Sequence, residues 1–228
     1  MRALLLEDPT SAYRILVPLI GVLMIGAIFV GISIDDKATE IISGIVLLIT
    51  SMICYRILNV RRKPNAPMLS GPSRIWALIA AGFMYLALDE TFSIHEKIDK
   101  MIHSVLAMEE TGLSDRIDDF IILLYGIIGA ILIYFHRTEF RSLTVFYKYL
   151  VAGFMFLCVM VFLDAFSNRA DVIEYLGFEG VARKNIKMTA KYGEETMKLL
   201  SEAAFLFGFL GIYRKFYDER KASALGQA

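Results

Sequence analysis

ILVPLIGVLMIGAIFVGISI, residues 15–34, runs for twenty positions without a charge. At 1.5 Å per residue such a helix reaches across a hydrocarbon core of ~30 Å. A cleaved leader fits poorly, because the block is long for a leader's apolar stretch and lacks a clear small-x-small cleavage site. It reads as a retained first span. Working outward, residues 41–55, 75–88, 120–135, 149–163 and 203–213 form further apolar blocks, each shorter than a full span. Each must extend into flanking polar residues to cross. In lipid a helix satisfies its own backbone hydrogen bonds, so the expected fold is an all-α polytopic membrane bundle with six transmembrane helices. The 228 residues then form one integral membrane domain.

The composition agrees. The chain is 57% hydrophobic, well above an ordinary soluble protein, and its mean hydropathy is +0.56. Two cysteines exclude a disulfide scaffold, and no Cys/His run resembles a zinc finger. Basic and acidic residues number 24 each, so no overall charge draws the chain to nucleic acid. No Walker or dinucleotide-binding glycine motif is present.

Sorted along the chain, the balanced charges separate. The segment 56–74 holds Arg56, Arg61, Arg62, Lys63 and Arg74 and no acid, and it reads as a basic cytoplasmic loop. Alternating spans put it on one side with the N-terminus, the turn at residues 137–148 and the C-terminal tail. That side collects 14 of the 24 basic residues and 5 of the 24 acids. Both termini are therefore expected in the cytoplasm of a bacterial cell, in its inner membrane. Tyr55, Trp76, Tyr134 and Tyr213 fall at the same side, as an interfacial aromatic belt would. Residues 170–192 mix apolar and charged side chains and are expected to lie at the outer interface, between the fifth and sixth spans.

The acids carry the functional reading. From Arg74, about 14 apolar residues lead to Asp89 and Glu90, or ~21 Å of helix, which stops short of the far boundary. His95 and Glu96 follow near the surface. Asp164 ends the fifth block, and the sixth enters through Glu194 and Glu195 with Glu202 two turns deeper. Asp89, Glu96 and His103 are seven apart and would share one face of a continuous helix. Glu195 and Glu202 share the same spacing on an antiparallel helix, which lets Asp89 and Glu202 meet at one level. Ionised carboxylates at membrane depth are costly and face the bundle interior or a wet cavity. Several together must be protonated or balanced by cations.

Three ways of balancing them remain open from sequence. A divalent metal (zinc, manganese or iron) could be held by Asp89, Glu90, His95, Glu96, Asp164, Glu195 and Glu202. Protons could titrate the cluster, or Lys198 and neighbouring bases could pair with it. Neither Glu-x-x-His nor His-Glu-x-x-His occurs, which disfavours ferritin-like di-iron and zincin chemistry. Cys54 and Cys158 read as packing residues, and Gly126, Gly129, Gly208 and Gly211 as points of close helix approach.

Leu88-Asp89-Glu90 with His95-Glu96, followed by a helix opening Glu194-Glu195 and carrying Glu202, resembles a group of bacterial polytopic membrane proteins. The resemblance covers about half the chain and implies no activity. It singles out Asp89, Glu90, His95, Glu96, Glu195 and Glu202 as a set. The leading expectation is a cation site open to the periplasm, in a binding protein or an enzyme acting on lipid-type substrates, with lipid or a small ion as ligand. A proton- or cation-coupled transporter and a structural subunit are the alternatives. The transporter reading is weakened because the inner halves of these helices carry no ionisable residue.

Overall fold

A computed structural model describes residues 36–62, 70–106, 117–167 and 177–226, together with Pro18, Gly21, Pro67, Ile173 and Tyr175. The expected first span at residues 15–34 lies, apart from Pro18 and Gly21, outside the described residues. Among the described residues the chain is all helical, with no strand. The long elements are α1 (Asp36–Arg61), α2 (Arg74–Phe92), α3 (Ile94–Leu106) and α4 (Ile117–Phe135). A short helix α5 (Arg137–Phe140) precedes α6 (Thr144–Ser167) and α7 (Gly180–Leu225), and 3-10 turns at Gly71–Ser73 and Arg141–Leu143 lead into α2 and α6.

Among the described residues, four stretches are long and apolar enough to cross a membrane: Thr39–Arg61, Arg74–Phe92, Arg137–Phe166 and Gly180–Leu225. Phe120–Phe135 is apolar but shorter. Five of the six expected blocks thus lie inside helices, although the described residues do not yield six clear spans. Large apolar side chains such as Phe120, Phe135 and Phe162 point outward, 65%, 75% and 68% exposed. This face is compatible with lipid contact.

Helix contacts run mainly along α7 with α6, α1 with α2, and α7 with α1. Small residues allow the close approach. A Cβ on Gly208 would stand 3.1 Å from Tyr149 Cβ, and one on Gly211 would run into the Phe146 ring. The Ser201 hydroxyl donates to the Gly153 carbonyl across the same seam at 2.9 Å. Between α1 and α2, Ser51 donates to the Ala80 carbonyl at 2.7 Å. In lipid, where burial itself gives little drive, such packing and interhelical hydrogen bonds hold helices together.

The helices alternate in direction, so their ends sort into two groups. At one end Arg61 of α1 grips Glu139 of α5 through two bonds of 2.7 and 2.8 Å. Trp76 of α2 donates to the same carboxylate at 3.2 Å, and Arg220 of α7 reaches the Asn59 carbonyl. The segments expected to share the basic side do therefore meet. Two expectations change here. Trp76 is fully buried, ringed by Phe140, Phe209 and Phe216 at 5.3, 6.3 and 5.9 Å, and is a core residue rather than part of a belt. The basic loop is also shorter than residues 56–74, since α1 runs on through Arg61. Residues 180–192 form the opening turns of the 46-residue α7, continuous with the sixth apolar block.

The Arg61–Glu139 pair is lopsided: the arginine side chain is 33% exposed and the glutamate 8%. Removing the arginine strands a buried carboxylate, whereas removing the carboxylate leaves an arginine that can reach water. Arg61→Ala should therefore lower unfolding stability in detergent by about 2 kcal/mol, and by more than Glu139→Gln does. Thermal midpoints of the two variants check the order, and equal or reversed losses would contradict it.

Candidate functional site

The site forms where the helix starting at Arg74 breaks. α2 ends at Phe92, and Ser93 adopts left-handed backbone angles (φ 46°, ψ 53°) before α3 begins at Ile94. A non-glycine residue there costs on the order of 1–3 kcal/mol and persists only where its surroundings enforce it. Asp89 supplies that enforcement. Its Oδ1 accepts the His95 backbone N–H at 2.7 Å, one of the unsatisfied donors of the α3 N-terminus, and its Oδ2 meets His95 Nδ1 at 2.9 Å. The expected continuous face of Asp89, Glu96 and His103 does not exist, because the chain turns at Ser93. That turn is what folds His95 back onto Asp89.

At the next residue of α2, Glu90 accepts a 2.9 Å hydrogen bond from Lys198 Nζ of α7, and Glu195 lies 3.1 Å from the same ammonium. Glu202 is buried. Its Oε1 accepts a hydrogen bond from Ser43 of α1, and its Oε2 is enclosed with no hydrogen-bond partner among the described residues. Glu40, one turn before Ser43, lies within electrostatic reach of Glu90, Lys198 and Glu195. Three helices thus contribute charged groups to one end of the bundle, opposite the Arg61–Glu139 end.

A cavity of about 430 Å³ runs from this cluster along α2, α4, α6 and α7. Asp89, Glu90, His95, Lys198, Ser201 and Glu202 line its polar end. The remaining wall is mostly apolar and passes Gly82, Phe83, Leu132 and Phe154, with Tyr85 and Tyr125 joined hydroxyl to hydroxyl at 2.8 Å across α2 and α4. A concave, mainly apolar space with a few convergent polar groups is the usual form of a small-molecule site.

Of the seven residues expected as metal ligands, four line the cavity and Glu195 joins them through Lys198. Glu96 is half exposed and pairs with Lys100 at 3.4 Å. Asp164 does not line the cavity and lies nearer Glu194. The side chains of Asp118, Asp119 and Ser167 lie outside what the structure describes, as does Asn168. Asp99 and His103 do meet, at 3.1 Å, but on α3 as a separate pair. Among the described residues no three His, Cys, Asp or Glu side chains are placed to share a metal ion. Within this set His95 pairs with Asp89, and Lys198 with Glu90 and Glu195. The contributions of Ser43 and Glu40 went unread in the sequence, though two polar residues one turn apart at the start of an apolar helix are a usable signal. Ser93-Ile94-His95-Glu96 also has the spacing of a capping box and marks the break.

Residues 38–212 match a family described as a domain of unknown function (DUF8692). The chain belongs to this family. The matched residues include every residue that lines the cavity. No curated protein and no solved structure matches the chain.

Chemically, a histidine held through Nδ1 by a carboxylate is oriented to exchange a proton through Nε2. Burial alone would pull the His95 value down, but the hydrogen bond and charge of Asp89, aided by Glu90 and Glu96, hold it above the ordinary 6.5. A raised histidine value stabilises the folded state in full below about pH 6.5, and that contribution fades as pH rises through the folded-state value. The thermal midpoint should accordingly fall between pH 6 and pH 9, with a smaller slope in His95→Gln and Asp89→Asn. An unchanged slope in both variants would refute the pairing.

Proposed function

We propose that this protein is a six-span bacterial inner-membrane protein that takes the apolar chain of a lipid-type molecule into the cavity. The head of that molecule then sits against Asp89, His95, Lys198 and Glu202. The uneven distribution of Lys and Arg supports cytoplasmic termini and a polar cavity end toward the periplasmic leaflet. One observation carries the reading: a single space is apolar along most of its length and ends on buried ionisable groups. A small ion would use the polar end and leave the apolar length without purpose, whereas an amphiphile uses both. The apolar wall spans Leu78 to Asp89 on α2, ~16 Å of helix, which suits an alkyl chain. The Asp89–His95 pair supplies a group that can take up or release a proton beside the head.

Gly82 offers the direct test. It lines the cavity, and a Cβ added there meets nothing within 4 Å. Gly82→Leu should fill the space without a clash, leaving the thermal midpoint unchanged or raised. Mass spectrometry of purified protein should find chain-bearing lipid retained through detergent exchange in the wild type and largely lost in Gly82→Leu. Equal retention in the two would overturn the proposal.

A further inference from the structure

The head group that fits the polar end can be narrowed, on the understanding that the proposed function holds. The cavity wall there carries three carboxylates, Asp89, Glu90 and Glu202, against two bases, His95 and Lys198. The bases are already engaged: His95 by Asp89, and Lys198 by Glu90 together with Glu195 just behind it. Glu202 is the carboxylate left over. It is 6% exposed, Ser43 occupies only its Oε1, and Oε2 lies enclosed at the cavity with no hydrogen-bond partner among the described residues. A buried acceptor without a donor is costly, and an unbalanced buried carboxylate more so. A ligand that brings a positive charge and N–H donors removes both costs at once. A ligand with an anionic head would instead meet an excess of carboxylates, with both bases already paired.

We propose that the cavity selects amphiphiles with an alkyl chain and a primary-amine head, the ammonium docking on the Glu202 carboxylate with the chain lying along Gly82 and Phe83. The same chain carrying a hydroxyl head fills the apolar length but brings no charge to Glu202. The same chain carrying a carboxylate adds like charge to the cluster. Chain length therefore contributes to binding in all three cases, and the head decides among them.

The test uses the full protein in dodecyl maltoside with three probes of equal chain length: dodecylamine, dodecanol and laurate. Thermal midpoints are followed as each is titrated, because a ligand specific for the folded state raises the midpoint by mass action. Dodecylamine should give a saturable rise, and Glu202→Gln should weaken its apparent affinity about tenfold or more, as loss of a charged hydrogen bond implies. Glu202→Asp keeps the charge but withdraws it by one methylene. It should lose most of the preference for the amine while remaining folded, which covers the case in which Glu202→Gln does not fold. Equal shifts by amine and alcohol, both lost in Gly82→Leu, would overturn the head-group assignment and leave chain binding standing. Shifts indifferent to Gly82→Leu would remove both. A Glu202-dependent shift with zinc or manganese chloride and no amphiphile would overturn the amine assignment in favour of a metal.

Discussion

An ammonium held between two carboxylates, inside a bundle of apolar helices, is the interaction on which the rest of this structure depends. Lys198 belongs to α7, Glu90 to α2 and Glu195 to α7 one turn before the lysine. Each of these charges would be costly alone at membrane depth, and each is tolerable because the others are there. The pairing fixes the level at which α2 and α7 stand beside each other. It thereby brings Asp89 and Glu202 to the same end of the cavity, from positions 113 residues apart in the chain. The opposite end is closed by the analogous grip of Arg61 on Glu139 beneath Trp76. Between the two polar ends the bundle is held by aromatic rings and by glycines that let helices touch.

This arrangement also decides what the polar end can do. Asp89 pairs with His95, and Glu90 and Glu195 share Lys198. What remains is an oriented imidazole, one unmatched carboxylate oxygen and an apolar passage leading to them. Those three features are what the proposed amphiphile site rests on.

Much of this was legible in the sequence. The apolar blocks located five helices because lipid demands long uncharged runs. The positions of Lys and Arg predicted which helix ends would meet, and the contacts of Arg61, Glu139 and Arg220 bear that grouping out. Counting residues along antiparallel helices put Asp89 and Glu202 at one level, and both line the cavity. Helix neighbours were not legible, because periodicity along one helix says nothing about which other helix it touches. Ser43 and Glu40 were therefore missed. The break at Ser93 was obscured for a different reason. Helical spacing was extended across a residue whose left-handed backbone is imposed by a tertiary contact, the two hydrogen bonds of Asp89 to His95. Trp76 was misplaced because its neighbours Phe140, Phe209 and Phe216 come from distant segments and enclose it. The pairing of Lys198 with Glu90 and Glu195 could not be read from sequence, since it depends on where one flexible lysine side chain ends.

That lysine is the point at which the account is most exposed. A double-mutant cycle of Glu90→Gln and Lys198→Met, read as unfolding free energies in detergent, measures the coupling directly. If the ammonium is what neutralises the cluster, Lys198→Met alone is severely destabilising, and adding Glu90→Gln recovers part of the loss, with a coupling of about 1–3 kcal/mol. Additive losses, with a coupling below about 0.5 kcal/mol, would contradict it.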